Sequence, residues 1–406
     1  MLAALAWRNL WRRPQRTALS LLSIAIVSGL LVFMLSFQIG VYATMKEATL
    51  RIFDGYAQFQ PPGYADDPGV ERTIEDPRGL VQRAVAIRGV TTAAPRINAF
   101  AVLANGERSY RAAVIGVDPA SEARISSIAA TVRDGRYLQP GDSDRAVLGD
   151  LLARNLALRV GDKVTLLGQA KDGSVAADVL TVAGVYHSGV PDLDRTILEM
   201  PLARAQDTFG MAGEANTVAL GGPSLASVDR ALGELSRVAA RRGATLRDWG
   251  DLEPALRDGI WLKYATSMLF YLTLVVVVAF IILNTLLMSV LERIREFGVL
   301  LALGMRPGLI GAMVWAELLT LALIGCGIGL ALGGGAALWL QHVGVALPGL
   351  GPVLAQYGLP DRLYPAVTPL SALLGPGVIL AAIAAGGVVP FLRVTRLTAA
   401  SAMRAA

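Results

Sequence analysis

Four stretches of this chain contain no Asp, Glu, Lys or Arg: Thr17–Met45, Tyr264–Leu291, Leu318–Pro360 and Leu363–Leu392. Each is longer than the roughly 20 apolar residues that a helix needs to cross a bilayer. Backbone N–H and C=O groups find no partner in hydrocarbon, so such a stretch must bond internally, as a helix does. Between the first and second stretches lies a block of ordinary globular composition, residues 46–262. The fold class this plan predicts is an α-helical membrane protein with four transmembrane helices plus an extracytoplasmic α+β domain.

The charge distribution supports that division. Only 17% of the 406 residues are charged, against about 25% in soluble domains, and the deficit is confined to the spans. The net charge of +5 reads as positive-inside topology rather than as nucleic-acid binding. Arg8, Arg12, Arg13 and Arg16 precede the first span, Arg293, Arg295 and Arg306 separate the second and third, and Arg393, Arg396 and Arg404 follow the fourth. The opposite ends are poorer, with Lys46 and Arg51 after span one, Lys263 before span two and Arg362 between spans three and four. Both termini are therefore expected in the cytoplasm and residues 46–262 outside.

The expected segments are an interfacial amphipathic helix (1–16), span one (17–45), the external domain (46–262) and span two (264–291). A cytoplasmic helix (292–306), span three (309–340), an external loop (341–362), span four (363–392) and a cytoplasmic tail (393–406) complete the chain. Trp7, Leu10 and Trp11 share one face of the first segment, with the arginines turned elsewhere, as in helices lying at headgroup depth. The first apolar run is too long for the core of a cleavable signal peptide and is expected to remain as a helix.

Within the spans, Asn284 and Thr285 are polar residues expected to face a neighbouring helix. Gly325, Gly329 and Gly333 stand four apart in span three. They predict a close helix–helix interface, within the chain or between two copies. Glu317 sits near the cytoplasmic end of that span and reads as a structural acid at the interface. The spans hold no chain of titratable groups, which argues against a proton-coupled carrier or a charge-lined channel.

In the external block, Ala112–Val117 and Val179–Tyr186 read as strands, Val160–Leu167 as a turn followed by a strand, and Leu148–Leu158 and Ser224–Arg241 as helices. Tyr64–Pro77 reads as a loop. No GxSxG, HExxH, CxxC or phosphate-binding glycine loop is present, so no catalytic residues are expected. Asp192, Asp194 and Arg195 read as an exposed turn. With two histidines (His187 and His342) and one cysteine, Cys326, no metal site and no disulfide is expected.

The segment after span two reads LERIREFGVLLALGM, Leu291 to Met305. Its charged start, apolar end and Gly304 predict a short helix. Here the sequence resembles permeases of the MacB/FtsX family of ABC transporters, through the ERxREFGxLxALG pattern. The resemblance extends to the WRNL segment, the spacing of the spans, WAELLTL around Glu317, and the runs Ala113–Pro119, Gly135–Leu166 and Thr181–Gln206. Gly55–Tyr64 (GYAQFQPPGY) is similar to the LolC/LolE lipoprotein-releasing branch. The C-terminal RLTAASAMR departs from the family pattern at Ala399 and Ser401.

The resemblance implies a MacB-type periplasmic domain, a location in the bacterial inner membrane, and an ATPase-coupling segment made of Glu292, Arg293, Arg295, Glu296, Gly298, Ala302, Leu303 and Gly304. It implies as partners a cytoplasmic ABC ATPase dimer and a second permease subunit, identical or related. A periplasmic lipoprotein chaperone or a membrane-fusion adaptor is a further implied partner. ATP and Mg would be bound by the ATPase and no cofactor by this chain: none of its four lysines is followed by Ser or Thr, as a Walker A motif requires. Lipoprotein release is the leading function; MacB-like export and FtsX-like signalling to a cell-wall hydrolase are alternatives.

Overall fold

The computed structural model describes residues 14–346, 348–349 and 362–395, with the side chains at 16, 285, 286, 289, 389, 390, 393 and 394 excluded. Nearly all of the expected N-terminal amphipathic helix, most of the 341–362 loop and most of the C-terminal tail fall outside the described residues. The chain divides into two compact units. One gathers the residues up to Ala43, Gly259–Ala346 and those from Arg362; the other contains Thr44–Asp258.

The first helix, α1 (Pro14–Ile52), has 39 residues and continues past the expected end of span one. The external unit begins with β1 (Ala57–Gln60), α2 (Pro77–Val85) and the hairpin β2 (Thr92–Asn105) and β3 (Arg108–Val117). Asn105 and Arg108 pair across a two-residue turn. Gly106 takes φ +58 there, the left-handed geometry that such tight hairpins require. Then come α3 (Pro119–Glu122), β4 (Val132–Gly135), β5 (Arg145–Gly149), α4 (Asp150–Leu156), β6 (Lys163–Gln169) and β7 (Val175–Tyr186). After them follow α5 (Pro191–Thr196), β8 (Ile197–Pro201), α6 (Leu202–Phe209) and β9 (Thr217–Gly221). The unit ends with α7 (Leu225–Asp229), α8 (Leu232–Ala240), β10 (Thr245–Asp248) and α9 (Trp249–Leu252).

These ten strands form one sheet in the order β10-β1-β9-β2-β3-β8-β5-β7-β4, and β6 pairs with both β2 and β7. That double pairing closes the ring β2-β3-β8-β5-β7-β6, which removes free edges from those strands. Small side chains (Ala99, Ala101, Ala112, Ala146, Ala176) and larger ones (Leu103, Leu148, Leu166, Leu198) share its buried core, as a narrow barrel demands. Outside the ring, β4 pairs with β7, and β10, β1 and β9 form a second core with α2, α7 and α8 around Phe59, Leu80, Val228 and Leu235.

Two expected helices differ. Leu148 and Gly149 belong to β5, and only Asp150–Leu156 is helical; burial of Leu148 in the barrel core decides this. The expected helix Ser224–Arg241 is two helices. A bond from Ala231 N–H to the Val228 carbonyl tightens the chain between them, and Val228 and Leu235 then reach the same core. The supposed exposed turn at Asp192–Arg195 is instead helix α5, with Asp194 only 1% exposed.

The chain continues with α10 (Pro254–Glu292), which enters the apolar unit at Gly259, then α11 (Ile294–Ala302), α12 (Pro307–Val343), the two-residue strands β11 (Val345–Ala346) and β12 (Arg362–Leu363), α13 (Pro369–Gly386) and α14 (Val388–Thr395). Among the described residues, four helices are long and apolar enough to span a membrane: Thr17–Ile52, Pro254–Asn284, Pro307–Val343 and Pro369–Gly386. The fourth starts later than the sequence suggests, because Thr368 and Ser371 form a reciprocal capping box around Pro369.

Candidate functional site

Three places carry the polar and close-packed groups that a function can use. The first is α11 and the turn after it. The turn is a Schellman motif: Gly304 N–H bonds to the Leu301 carbonyl and Met305 N–H to the Leu300 carbonyl. Gly304 takes φ +92, a conformation that favours glycine. Phe297 is 1% exposed and packs with Val290, Ile310 and Val314. Gly298 is also buried, and Arg293 turns inward: its Nη1 donates to Glu317 Oε2 at 3.2 Å and its Nε to Glu296 Oε2 at 3.3 Å. Of the expected coupling residues, Arg293 and Gly298 thus support the helix from within. Glu292, Arg295, Glu296, Ala302, Leu303 and Gly304 are exposed. Leu303 is 79% exposed beside Val299 and Met305, an apolar strip rimmed by charge.

The second place is the seam between α1 and α12. Gly325, Gly329 and Gly333 all face α1. A Cβ on Gly325 would stand 2.7 Å from the Ile24 side chain, on Gly329 2.6 Å from the Ala25 carbonyl oxygen, and on Gly333 2.1 Å from the Gly29 carbonyl oxygen. The three glycines therefore serve an interface within the chain. Gly29 is the partner the sequence reading missed; it lies opposite Gly329 and Gly333, and α1 has no glycine four residues from it. Ser36 Oγ donates to Ser371 Oγ at 2.9 Å, joining α1 to α13. Gln38 donates to Ser267 Oγ at 2.9 Å and accepts from Tyr271 O–H at 3.0 Å, joining α1 to α10. Asn284, expected at a helix contact, is exposed on this unit; the inward positions of α10 near it are the apolar Val278 and Ile282.

The third place is the external unit. Arg96 is 1% exposed and forms a two-pronged bond to the fully buried Glu122, at 2.9 and 2.6 Å. Its Nη2 also donates to the Phe53 carbonyl at 2.6 Å, and its guanidinium lies 4.6 Å from the Phe53 ring centre. Ser126 Oγ bonds to the Ile52 carbonyl and Ser127 N–H to the Arg51 carbonyl. The last turn of α1 is thus fastened to buried polar groups, which satisfies carbonyls that a helix end leaves unpaired. Beside Arg96, Glu199 accepts from Tyr137 O–H at 2.7 Å. Burial, and then repulsion from Glu122, push Glu199 up to about 8. Burial and the nearby Glu253 push Asp54 up to about 7.

Asp150, His187 and Asp194 also converge here. They come from the start of α4, the residue after β7, and α5, and their ligand atoms lie within 4.8 Å of one another.

Comparison with known proteins agrees with the sequence resemblance. A model of the MacB-like periplasmic core domain matches residues 17–238 and a model of the FtsX-like permease C-terminal region matches 268–399. The lipoprotein-releasing system transmembrane protein LolC of Neisseria meningitidis serogroup B is 24% identical over 298 residues, covering 72% of this chain and 69% of that protein. Among solved structures, the extracellular domain of the ABC-type transporter YknZ from Gram-positive bacteria is similar at a TM-score of 0.36, with 16% identity over 48% of this chain and 98% of that one. The periplasmic region of MacB from Actinobacillus actinomycetemcomitans gives 0.38, with 12% identity over 50% of this chain and 91% of that one. The first family model alone spans more than half of the sequence, and the chain belongs to the MacB/FtsX family of ABC transporter permeases.

Proposed function

We propose that this chain is the permease subunit of an ATP-driven machine that releases lipoproteins from the bacterial inner membrane, with both termini in the cytoplasm and residues 46–262 in the periplasm. The observation that carries the reading is the length of two helices. α1 and α10 have 39 residues each, about 58 Å at the usual rise, against a hydrocarbon thickness of about 30 Å. Each contributes residues to both compact units. Stiff helices that outlast the bilayer suit transmission of movement better than passage of a solute. The 24% identity to LolC supports the lipoprotein branch.

On this reading a separate ATPase dimer, holding ATP and Mg, docks on the strip Glu296, Val299, Leu303 and Met305. A second permease subunit, identical or related, completes the machine, and a periplasmic lipoprotein chaperone takes the released cargo. Reconstitution of the chain with its ATPase in proteoliposomes tests this. ATP-dependent release of an acylated lipoprotein to a soluble acceptor is expected. Glu296→Arg should bind the ATPase poorly or leave it uncoupled. ATP-driven export of a soluble peptide with an adaptor, and no lipoprotein release, would favour the MacB-like alternative and overturn the present one.

A further inference from the structure

We propose that Asp150, His187 and Asp194 bind a divalent transition-metal ion, of which Zn²⁺ is the natural test. The inference does not rest on the transport function. His187 Nδ1 lies 3.3 Å from Asp150 Oδ2 and 3.2 Å from Asp194 Oδ2, yet makes no hydrogen bond, and Asp150 Oδ1 is likewise buried without a partner. Buried polar atoms normally find partners. Ligand atoms about 2.0–2.2 Å from a tetrahedral zinc ion stand about 3.3–3.5 Å from one another, close to the spacing here.

The surroundings fix these ligands. Asp194 is 1% exposed, and its Oδ1 accepts from Ser188 N–H at 2.8 Å and Ser188 Oγ at 2.7 Å. This second layer orients the carboxylate and leaves Oδ2 facing the imidazole. Gly149 has no side chain where one would be fatal: a Cβ there would meet the Asp194 carbonyl oxygen at 2.2 Å. That glycine lets α5 approach the end of β5. β5 and β7 run parallel, and the cluster lies at their carboxyl ends. Arg154 also pairs with Asp150 Oδ2 at 2.7 Å, which holds that carboxylate beside the imidazole. Asp150 also lines a cleft of about 780 Å³ with Arg154 and Tyr186.

The sequence reading missed the site because it looked for histidines and cysteines in number. Only one histidine is used, and its carboxylate partners lie 37 residues back and seven ahead in the chain, separated by a strand pair and a helix.

The test uses the full chain in detergent, freed of metal by chelation and dialysis. Equilibrium dialysis against Zn²⁺ should give one tightly bound ion per chain, and Co²⁺ should produce a visible ligand-field band. His187→Gln should abolish the band and weaken Zn²⁺ binding on the order of 100-fold or more, as loss of a ligand requires. Asp150→Asn, at a partly exposed position, should do the same if His187→Gln fails to fold. His342→Gln removes the only other histidine and should change nothing. Unchanged binding in both ligand variants, or no stoichiometric uptake by the parent chain, overturns the proposal. So would a titration showing His187 as an imidazolium held between the two carboxylates with zinc present.

Discussion

Arg293 Nη1 reaches Glu317 Oε2 at 3.2 Å, joining the start of α11 to α12. Both side chains are largely withdrawn from solvent, at 14% and 18% exposure. The acid that looked costly in an apolar span is therefore partnered, and the arginine that looked like a docking residue is turned towards α12. Glu317→Gln should destabilise this corner by about 1–3 kcal/mol, as when a charged donor loses its acceptor. Exchanging the two residues, Arg293→Glu with Glu317→Arg, should recover part of the loss. Thermal unfolding of the four proteins of that cycle in detergent measures the coupling; additive effects would count against the pair.

Leu303 projects from the end of α11 with 79% of its surface exposed. Leu303→Asp should weaken association with the partner ATPase by at least about tenfold, which is about 1.4 kcal/mol, and leave the melting temperature of the isolated permease unchanged. Co-purification with the ATPase reads the first and a thermal melt the second. Undiminished co-purification would move the docking surface elsewhere.

The glycine seam makes a prediction with its own control. Gly333→Ala places a carbon 2.1 Å from the Gly29 carbonyl oxygen and should force the helices apart, at about 1–3 kcal/mol. Gly327→Ala and Gly335→Ala meet nothing within 4 Å and should be neutral or slightly stabilising, as alanine is the better helix former. Equal losses at all three sites would refute the seam.

The buried carboxyls of the external unit predict an unusual pH dependence. Glu199 is raised to about 8 and Asp54 to about 7. Each holds its proton more tightly folded than unfolded, so unfolding releases protons above the usual carboxylate range. Their contribution to stability is complete below that range and is lost as pH rises towards about 8. The melting temperature should therefore fall from pH 5 to pH 8, and Glu199→Gln should flatten much of that slope. A rising curve in the parent chain would contradict it.

The anchor at Arg96 should be among the most sensitive positions. Arg96→Met leaves Glu122 buried without its cation and frees the Phe53 carbonyl. Loss of one member of a buried pair costs about 3–5 kcal/mol. Denaturant unfolding of the full chain should show a drop of that order, against a smaller change for Arg154→Met, whose own side chain is 72% exposed.

What the sequence determined by itself was governed by solvent. Hydrocarbon tolerates neither charge nor unpaired backbone, so the uncharged runs alone marked the four apolar helices, and the spacing of Gly325, Gly329 and Gly333 marked the face that packs. The α11 turn was legible too, because Gly304 and its neighbours act locally. Only the tertiary structure decided what those local signals meet. Gly29 opposite Gly333, Glu317 opposite Arg293, and the closure of the barrel by β6 pairing with both β2 and β7 depend on residues far apart in the chain. So does the meeting of Asp150, His187 and Asp194. Contacts of that kind follow from how strands and helices stack around a shared core, which no local spacing of residue types records.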